Sequence, residues 1–350
     1  MKLDTMLKRG SEWLRGEGPG SDIAISTRIR LARNVKGEVY FTRAGADQRE
    51  AILNKMMGAM KKSAFLSNSL FLKMRDISPL ERDFLVERHL ISREHVMNAE
   101  SKGLVVDDKE ITSIMLNEED HIRMQVLKSG FDLMEAWRIA DEIDNDLGKY
   151  IPFDFSAKYG YLTSCPTNTG TGLRASVMLH LSGLVMTGQI ENVFDAISKL
   201  GMTIRGFYGE GTEALGDFFQ ISNQVALGYS EMGILGNLER VIKKIVEKER
   251  ETREALIKNK KNELTEKINL SYSTLKDVRI ITSREAIKLL SAVRLGMDLG
   301  IIKGIGPSEI NGILVYAQPA HLQMMNDDKI EPFERDIKRA DFVRMKLSEK

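Results

Sequence analysis

The pattern of apolar and polar positions changes character along the chain. In "DIAISTRIRLARN" (22–34) and "ITSIMLNEEDHIRMQVL" (111–127) apolar residues tend to alternate with polar ones, which predicts extended strands with one face toward a core. In "DQREAILNKMMGAMKKSAF" (47–65) they return at intervals of three and four, the spacing of an amphipathic helix. Strands alternating in period two suit an antiparallel sheet better than a fully covered parallel one. The expected class is α+β. After Tyr229 the chain turns helical and charged: "GNLERVIKKIVEKERETREALIKNKKNELTEKI" (236–268) reads as a long helix. A second helix opens at Thr282, with Glu285 at capping-box spacing, and "KGIGPSE" (303–309) turns the chain into another helical segment.

These patterns divide the chain into an N-terminal segment (1–20), a mixed α+β catalytic domain (21–235) and a helical C-terminal domain (236–350). The glycine-rich "GEGPGS" (16–21) is expected to be a flexible connection. "RASVMLHLSGLVM" (174–186) is expected to be a helix that follows the loop "SCPTNTGTG".

With 350 residues, 42% of them hydrophobic, the chain can bury a large core. A net charge of +1 gives no general attraction to nucleic acid or to anionic lipid, so any anion site must come from local arginine clusters. The N-terminus lacks the apolar core of a signal peptide and no segment is apolar enough to span a bilayer, so a cytoplasmic protein with no membrane partner is expected. The single cysteine, Cys165, excludes an internal disulfide and a multi-cysteine metal site. It is either a small buried hydrophobe or a working thiol.

Gly170, Gly172 and Ala175 fit a G-x-G-x-x-A pattern, but a proline and a cysteine interrupt the preceding strand and no βαβ unit surrounds it, so the dinucleotide reading is weak. The chain contains neither a P-loop nor the catalytic motifs of protein kinases. It does place arginines beside strands and turns: Arg28, Arg30, Arg123, Arg174 and Arg205. Arg28 and Arg30 leave the same face of a strand, and guanidinium forks match phosphate oxygens. Singly, each arginine reads as a solvated surface charge. In "NEEDH" (117–121), strand alternation would set Glu119 opposite Glu118 and Asp120, which leaves one carboxylate free to enter a site alone.

Taken together and in order, "STRIRLARN", "NEEDHIRMQ", "CPTNTGTGLRASV", "RGFYGEG" and "QISNQVALGYSE" resemble the phosphagen (guanidino) kinases. Creatine and arginine kinases carry about a hundred further N-terminal residues. Here only about twenty precede the first motif, and a helical C-terminal extension ending in "RDIKRADFVR" follows; the whole chain is similar to the bacterial protein-arginine kinase branch.

The resemblance implies a curved antiparallel sheet flanked by helices, and transfer of the γ-phosphoryl of ATP, accompanied by Mg2+, to a guanidinium. Arg28, Arg30, Arg123, Arg174 and Arg205 would bind the nucleotide phosphates, with His89 nearby. Glu119 would be the catalytic carboxylate, Glu210 a second acid on the guanidinium, and Cys165 a positioning anion and not a nucleophile. Mg2+ would sit on phosphates and water, with no protein ligand named. Met178 stands where creatine kinases have a histidine.

In the tail, Arg335, Asp336, Arg339 and Ala340 would form an allosteric phosphoarginine-binding site. The implied partners are protein substrates with accessible arginines, a zinc-binding activator adaptor and the Clp unfoldase–protease, in a homodimer paired through the long helices, with degradation marking and stress control as the role. The alternatives are a kinase for a free guanidino metabolite and an inactive phosphoarginine-binding adaptor.

Overall fold

Period-two alternation organises the molecule, and it does so across eight strands. The computed structural model describes residues 3–7, 9–206, 215–326 and 328–348. The strands are β1 (Ala24–Arg33), β2 (Leu70–Lys73), β3 (Gly103–Val106), β4 (Thr112–Leu116), β5 (Ile122–Ser129), β6 (Phe155–Ser156), β7 (Gly160–Tyr161), β8 (Leu173–His180), β9 (Met202–Gly206) and β10 (Phe218–Asn223). Among the described residues, β2-β3-β4-β5-β1-β8-β10-β9 form one sheet in that order, and β6 pairs with β7 in a small hairpin. Every pairing is antiparallel. β1 is central, flanked by β5 and β8.

One face of the sheet is apolar. Ile29 and Leu31 of β1, Met124 and Val126 of β5, Ala175 and Val177 of β8 and Ile221 of β10 are buried in one core with helices Ala46–Met60 and Leu133–Leu147 and the first half of helix Glu231–Asp277. Each such side chain contributes roughly 1.5–3 kcal/mol by leaving water. A one-residue slip would turn them all outward, so the core fixes the register. On the opposite face, Leu127, Met178 and Phe218 join a second core built by the C-terminal helices.

Helix Glu231–Asp277 belongs to both cores and is broken only at Lys260, whose φ of −137° and ψ of 32° are not helical. Its Leu235, Leu238 and Ile242 pack under the sheet, while Leu264, Ile268 and Leu275 pack with helices Ser283–Asp298 and Pro307–Tyr316. The expected boundary at residue 236 therefore falls inside the first half of that helix, before its break at Lys260. Thr282 caps the next helix, with Glu285 returning a bond to its backbone amide at 2.9 Å. Helix Pro319–Met324 and the terminal helix Pro332–Ser348 complete the fold.

Three expectations are corrected. Residues 174–180 are not helical: they lie in β8, between β1 and β10, and only Ser182–Met186 forms a short helix. A central strand covered on both faces shows an almost unbroken apolar run, which periodicity cannot separate from a buried helix. Met178 accordingly lies in the sheet, opposite Ser26 and Gln220. Residues 117–121 form a turn between β4 and β5 in place of strand, with Asn117 at φ 58°. The glycine-rich segment 16–21 is fixed against the sheet: the Gly16 amide donates to Ser129 Oγ at 2.9 Å and the Phe131 amide to the Pro19 carbonyl at 2.7 Å. A Cβ on Gly18 would lie 2.0 Å from the Ser129 carbonyl oxygen, so glycine is required for close approach.

Candidate active site

The polar face of the sheet carries the arginines, and the register explains how they meet. Arg30 lies directly opposite Arg174 on β8, and Arg123 on β5 opposite Ala32. Arg205 on β9 faces Gln220, which faces Met178. Counting in twos, all five guanidiniums share the face opposite the first apolar core, which Leu127, Met178 and Phe218 share with them. They line one cleft of about 800 Å³, together with His89, Glu119 and Cys165. Glu210 lies outside the described residues.

Like charges facing each other across a ladder destabilise a sheet. The Arg28 guanidinium is held down to about 10, first by burial and then by Arg123. Arg30 is pushed well below its ordinary range by burial and by the charges of Arg123, Arg28 and Arg174, with only Glu118 opposing. The buried Nε atoms of Arg28 and Arg30 have no hydrogen-bond partner. A surface that concentrates positive charge and leaves donors unsatisfied suits a polyanion with several oxygens.

Arg123 is treated differently. Burial disfavours its charge, but Glu118 pairs with it and the balance raises its pKa. Glu118 also accepts from Ser92 Oγ, so the pair is pinned from a second element. Arg174 reaches Thr203 Oγ1 and Ser222 Oγ at 3.2 and 3.4 Å. His89, in a left-handed conformation (φ 60°), packs edge-on against Trp13, and burial followed by the Arg28 charge lowers it to about 3. It is thus a neutral ring at physiological pH.

The other pole of the cleft is anionic. The turn between β4 and β5 buries Glu118 and Asp120 and leaves Glu119 facing the opening. Asp120 Oδ1 accepts from Asn34 Nδ2 at 2.7 Å and from the Ser164 amide at 2.6 Å, which ties the cysteine loop to this turn. Glu119 and Cys165 line the same cleft, and Cys165 Sγ lies 3.0 Å from Thr167 Oγ1. Burial, reinforced by Asp120 and Glu118 against the pull of Arg123, raises the Glu119 pKa.

Gly172 lets the loop return under β1, since a Cβ there would lie 2.4 Å from Arg33 Nη1. Arg33 itself stays out of the cleft, paired with Asp144 at 2.8 Å, as its odd spacing from Arg28 and Arg30 requires.

Glu118, Asp120 and Ser92 also line or support the site, beyond the residues that the motifs point to. The two carboxylates were visible two residues apart in the same acidic run, but only the turn shows that they serve as anchors. Ser92 carried no signal beyond its helix-capping position.

The expected tail site has a different character. Arg339, 1% exposed, donates through Nε to the Ala317 carbonyl at 2.8 Å and through Nη1 to the Ile281 carbonyl at 2.9 Å, and it pairs with Asp336. Arg335 is half-buried beside it and Ala340 is fully buried.

Comparison with known proteins accounts for the whole chain. Residues 51–252 match the family described as ATP:guanido phosphotransferase, C-terminal catalytic domain, and residues 261–350 match the protein-arginine kinase McsB C-terminal domain. A protein-arginine kinase of Halothermothrix orenii is 45% identical over 99% of both chains. One of Bacillus subtilis is 43% identical over 96% of this chain and 93% of its own. Among solved structures, the duplicated taurocyamine kinase of Schistosoma mansoni with bound transition-state analogue components superimposes with a TM-score of 0.61 at 25% identity, covering 71% of this chain and 38% of that one. A lombricine kinase gives a TM-score of 0.59 at 24% identity over 71% of this chain and 70% of that one, a likeness of fold. The chain belongs to the ATP:guanido phosphotransferase family, in its protein-arginine kinase branch, and is an ATP-dependent phosphotransferase.

Proposed function

We propose that the cleft aligns ATP and a protein arginine for direct in-line phosphoryl transfer, with no covalent enzyme intermediate. Transfer passes through a loose transition state with charge spread over the equatorial oxygens, so catalysis is mostly alignment and electrostatic stabilisation. Arg28, Arg30, Arg123, Arg174 and Arg205 bind the phosphates, with neutral His89 beside them. Mg2+ brought with the nucleotide would supply partial neutralisation of the phosphate charge, and no residue of this chain is proposed to hold it. The fit to a polyanion rests on Arg28 and Arg30, whose buried Nε donors lack partners.

A guanidinium is a poor nucleophile while protonated. Glu119 orients it and accepts its proton as the nitrogen–phosphorus bond forms. Its raised pKa makes it a better base than an ordinary carboxylate. Cys165, which lines the cleft with Glu119, helps hold the cation, and Glu210 would grip its other edge. The observation that carries this reading is the polarity of one continuous cleft, cationic along β1 and β8 and anionic at Glu119. Glu119→Gln is expected to abolish transfer to a protein substrate and leave ATP binding intact. Near-normal turnover by that variant refutes the assignment.

The tail residues Arg335, Asp336, Arg339 and Ala340 are proposed as a phosphoarginine receptor. Activation by a zinc-binding adaptor, hand-over to a Clp unfoldase–protease under stress and a cytoplasmic location complete the proposal. Among the described residues no helix is long and apolar enough to cross a membrane. Pairing into a homodimer would use the outer faces of the long helices, where Leu270 is 66% exposed, since their inner stripes are buried within the chain.

A further inference from the structure

The loop that carries Cys165 has two sides. Its front, with Cys165 and Thr167, lines the acceptor end of the cleft. Its back, at Gly170 and Thr171, lines a separate open hollow of about 250 Å³. The walls of that hollow are Phe155, Tyr159, Leu227 and Tyr229, all large, apolar or aromatic, and exposed; Tyr229 is 62% and Phe155 56% accessible. Polar residues surround them, with Lys158 and Glu231 at the rim. A cluster of this kind, rimmed by polar groups, marks an interaction surface more often than a scatter of single residues does.

The platform is built to hold its shape. Gly170 and Tyr161 exchange backbone hydrogen bonds at 2.7 and 3.2 Å. The Arg33 guanidinium stacks 3.5 Å from the Tyr161 ring centroid and donates to the Thr171 carbonyl at 2.9 Å. Gly170 lies so close to the next loop that a Cβ there would be 2.7 Å from the Ala226 carbonyl oxygen. The same short loop thus joins the hollow to Cys165, which lines the cleft together with Glu119.

We propose that this aromatic hollow docks the stretch of substrate polypeptide that flanks the target arginine, favouring sequences with a large apolar side chain near it. The inference rests on the reading that Glu119 and Cys165 receive the guanidinium. An arginine inserted at that pole is still attached to a polypeptide, and the neighbouring residues must leave the cleft over its rim. The hollow and the cleft share the cysteine loop: Cys165, Thr167 and Asn168 line the cleft, and Gly170 and Thr171, two and three residues further on, line the hollow.

The test compares two short arginine peptides that differ only in carrying tryptophan or serine beside the arginine. Tyr229→Ser and Phe155→Ser alter exposed side chains outside the catalytic cleft. With the parent protein the tryptophan peptide should have the lower KM. In each variant its kcat/KM should fall about tenfold, through KM, the effect of losing part of one buried aromatic contact. The serine peptide should be unchanged and kcat should stay near the parent value. Equal losses for both peptides, no loss for either, or a change in subunit number on sedimentation of the variants would overturn the proposal, the last by assigning the hollow to contacts between copies. Failure of the acceptor reading shows separately, as turnover that persists in Glu119→Gln.

Discussion

The arginine-lined cleft and the tail cluster draw on the same side chains, arginines beside carboxylates, and use them in opposite ways. In the cleft, Arg28 and Arg30 are half-buried, with their Nε atoms buried and unpaired and with other arginines as neighbours. In the tail, Arg339 is buried with its donors given to two carbonyls and to Asp336. Unpaired buried donors cost stability and are tolerated where a ligand completes them; paired ones hold a fold together. The first arrangement is poised for a phosphate, whereas the second ties the terminal helix to Ala317 and Ile281. A phosphoarginine at the tail must therefore work around Arg339 or draw it from its carbonyls, while half-buried Arg335 is the more accessible cation.

The largest expected effect separates activity from stability. Arg30→Ala should lower phosphoryl transfer about a thousandfold, the scale of a lost transition-state arginine, without lowering the denaturation midpoint, because it removes repulsion across the ladder. Arg339→Ala should do the reverse, costing about 3 kcal/mol in chemical denaturation by stranding two buried carbonyls and a carboxylate, with little direct effect on chemistry. Equal destabilisation by both variants would erase the distinction.

A second effect concerns pH. Burial, with Asp120 and Glu118 adding to it, raises the Glu119 pKa, and the base must be ionised to accept a proton. The rate should be full above that raised pKa and fall about tenfold per unit below it, and the acid limb should move toward ordinary carboxylate values in Asp120→Asn, which removes a neighbouring negative charge. A pH–rate profile whose acid limb is identical in the two proteins would count against the base assignment.

The smallest effect is that of Cys165→Ser. A positioning contact to a cation is worth about tenfold or less in kcat/KM, so this variant should retain measurable transfer and lose sensitivity to thiol oxidants. Complete inactivation of a folded Cys165→Ser protein would promote the thiol from a support to an essential group.

Much of this was readable in the chain. β1 and the helices at 46–60 and 283–298 follow local periodicity, and Thr282 with Glu285 forms the capping box its spacing announced. Arg28 and Arg30 share a face because a strand alternates. The segment after the glycine loop was misread, since an apolar run buried on both sides carries no period to identify it. The acidic turn was misread because Asn117 enters a left-handed conformation that strand alternation does not foresee.

The sequence by itself determined the elements, the family resemblance and the kinds of side chain available, because these depend on contacts within a few residues or on motif order. Only the tertiary structure decided that Arg123, Arg174 and Arg205 join Arg28 and Arg30, that Arg33 and Arg339 serve as struts, and that the cysteine loop has a second, aromatic side. Those outcomes depend on register between strands distant in the chain, and the packing of the opposite, apolar face sets that register.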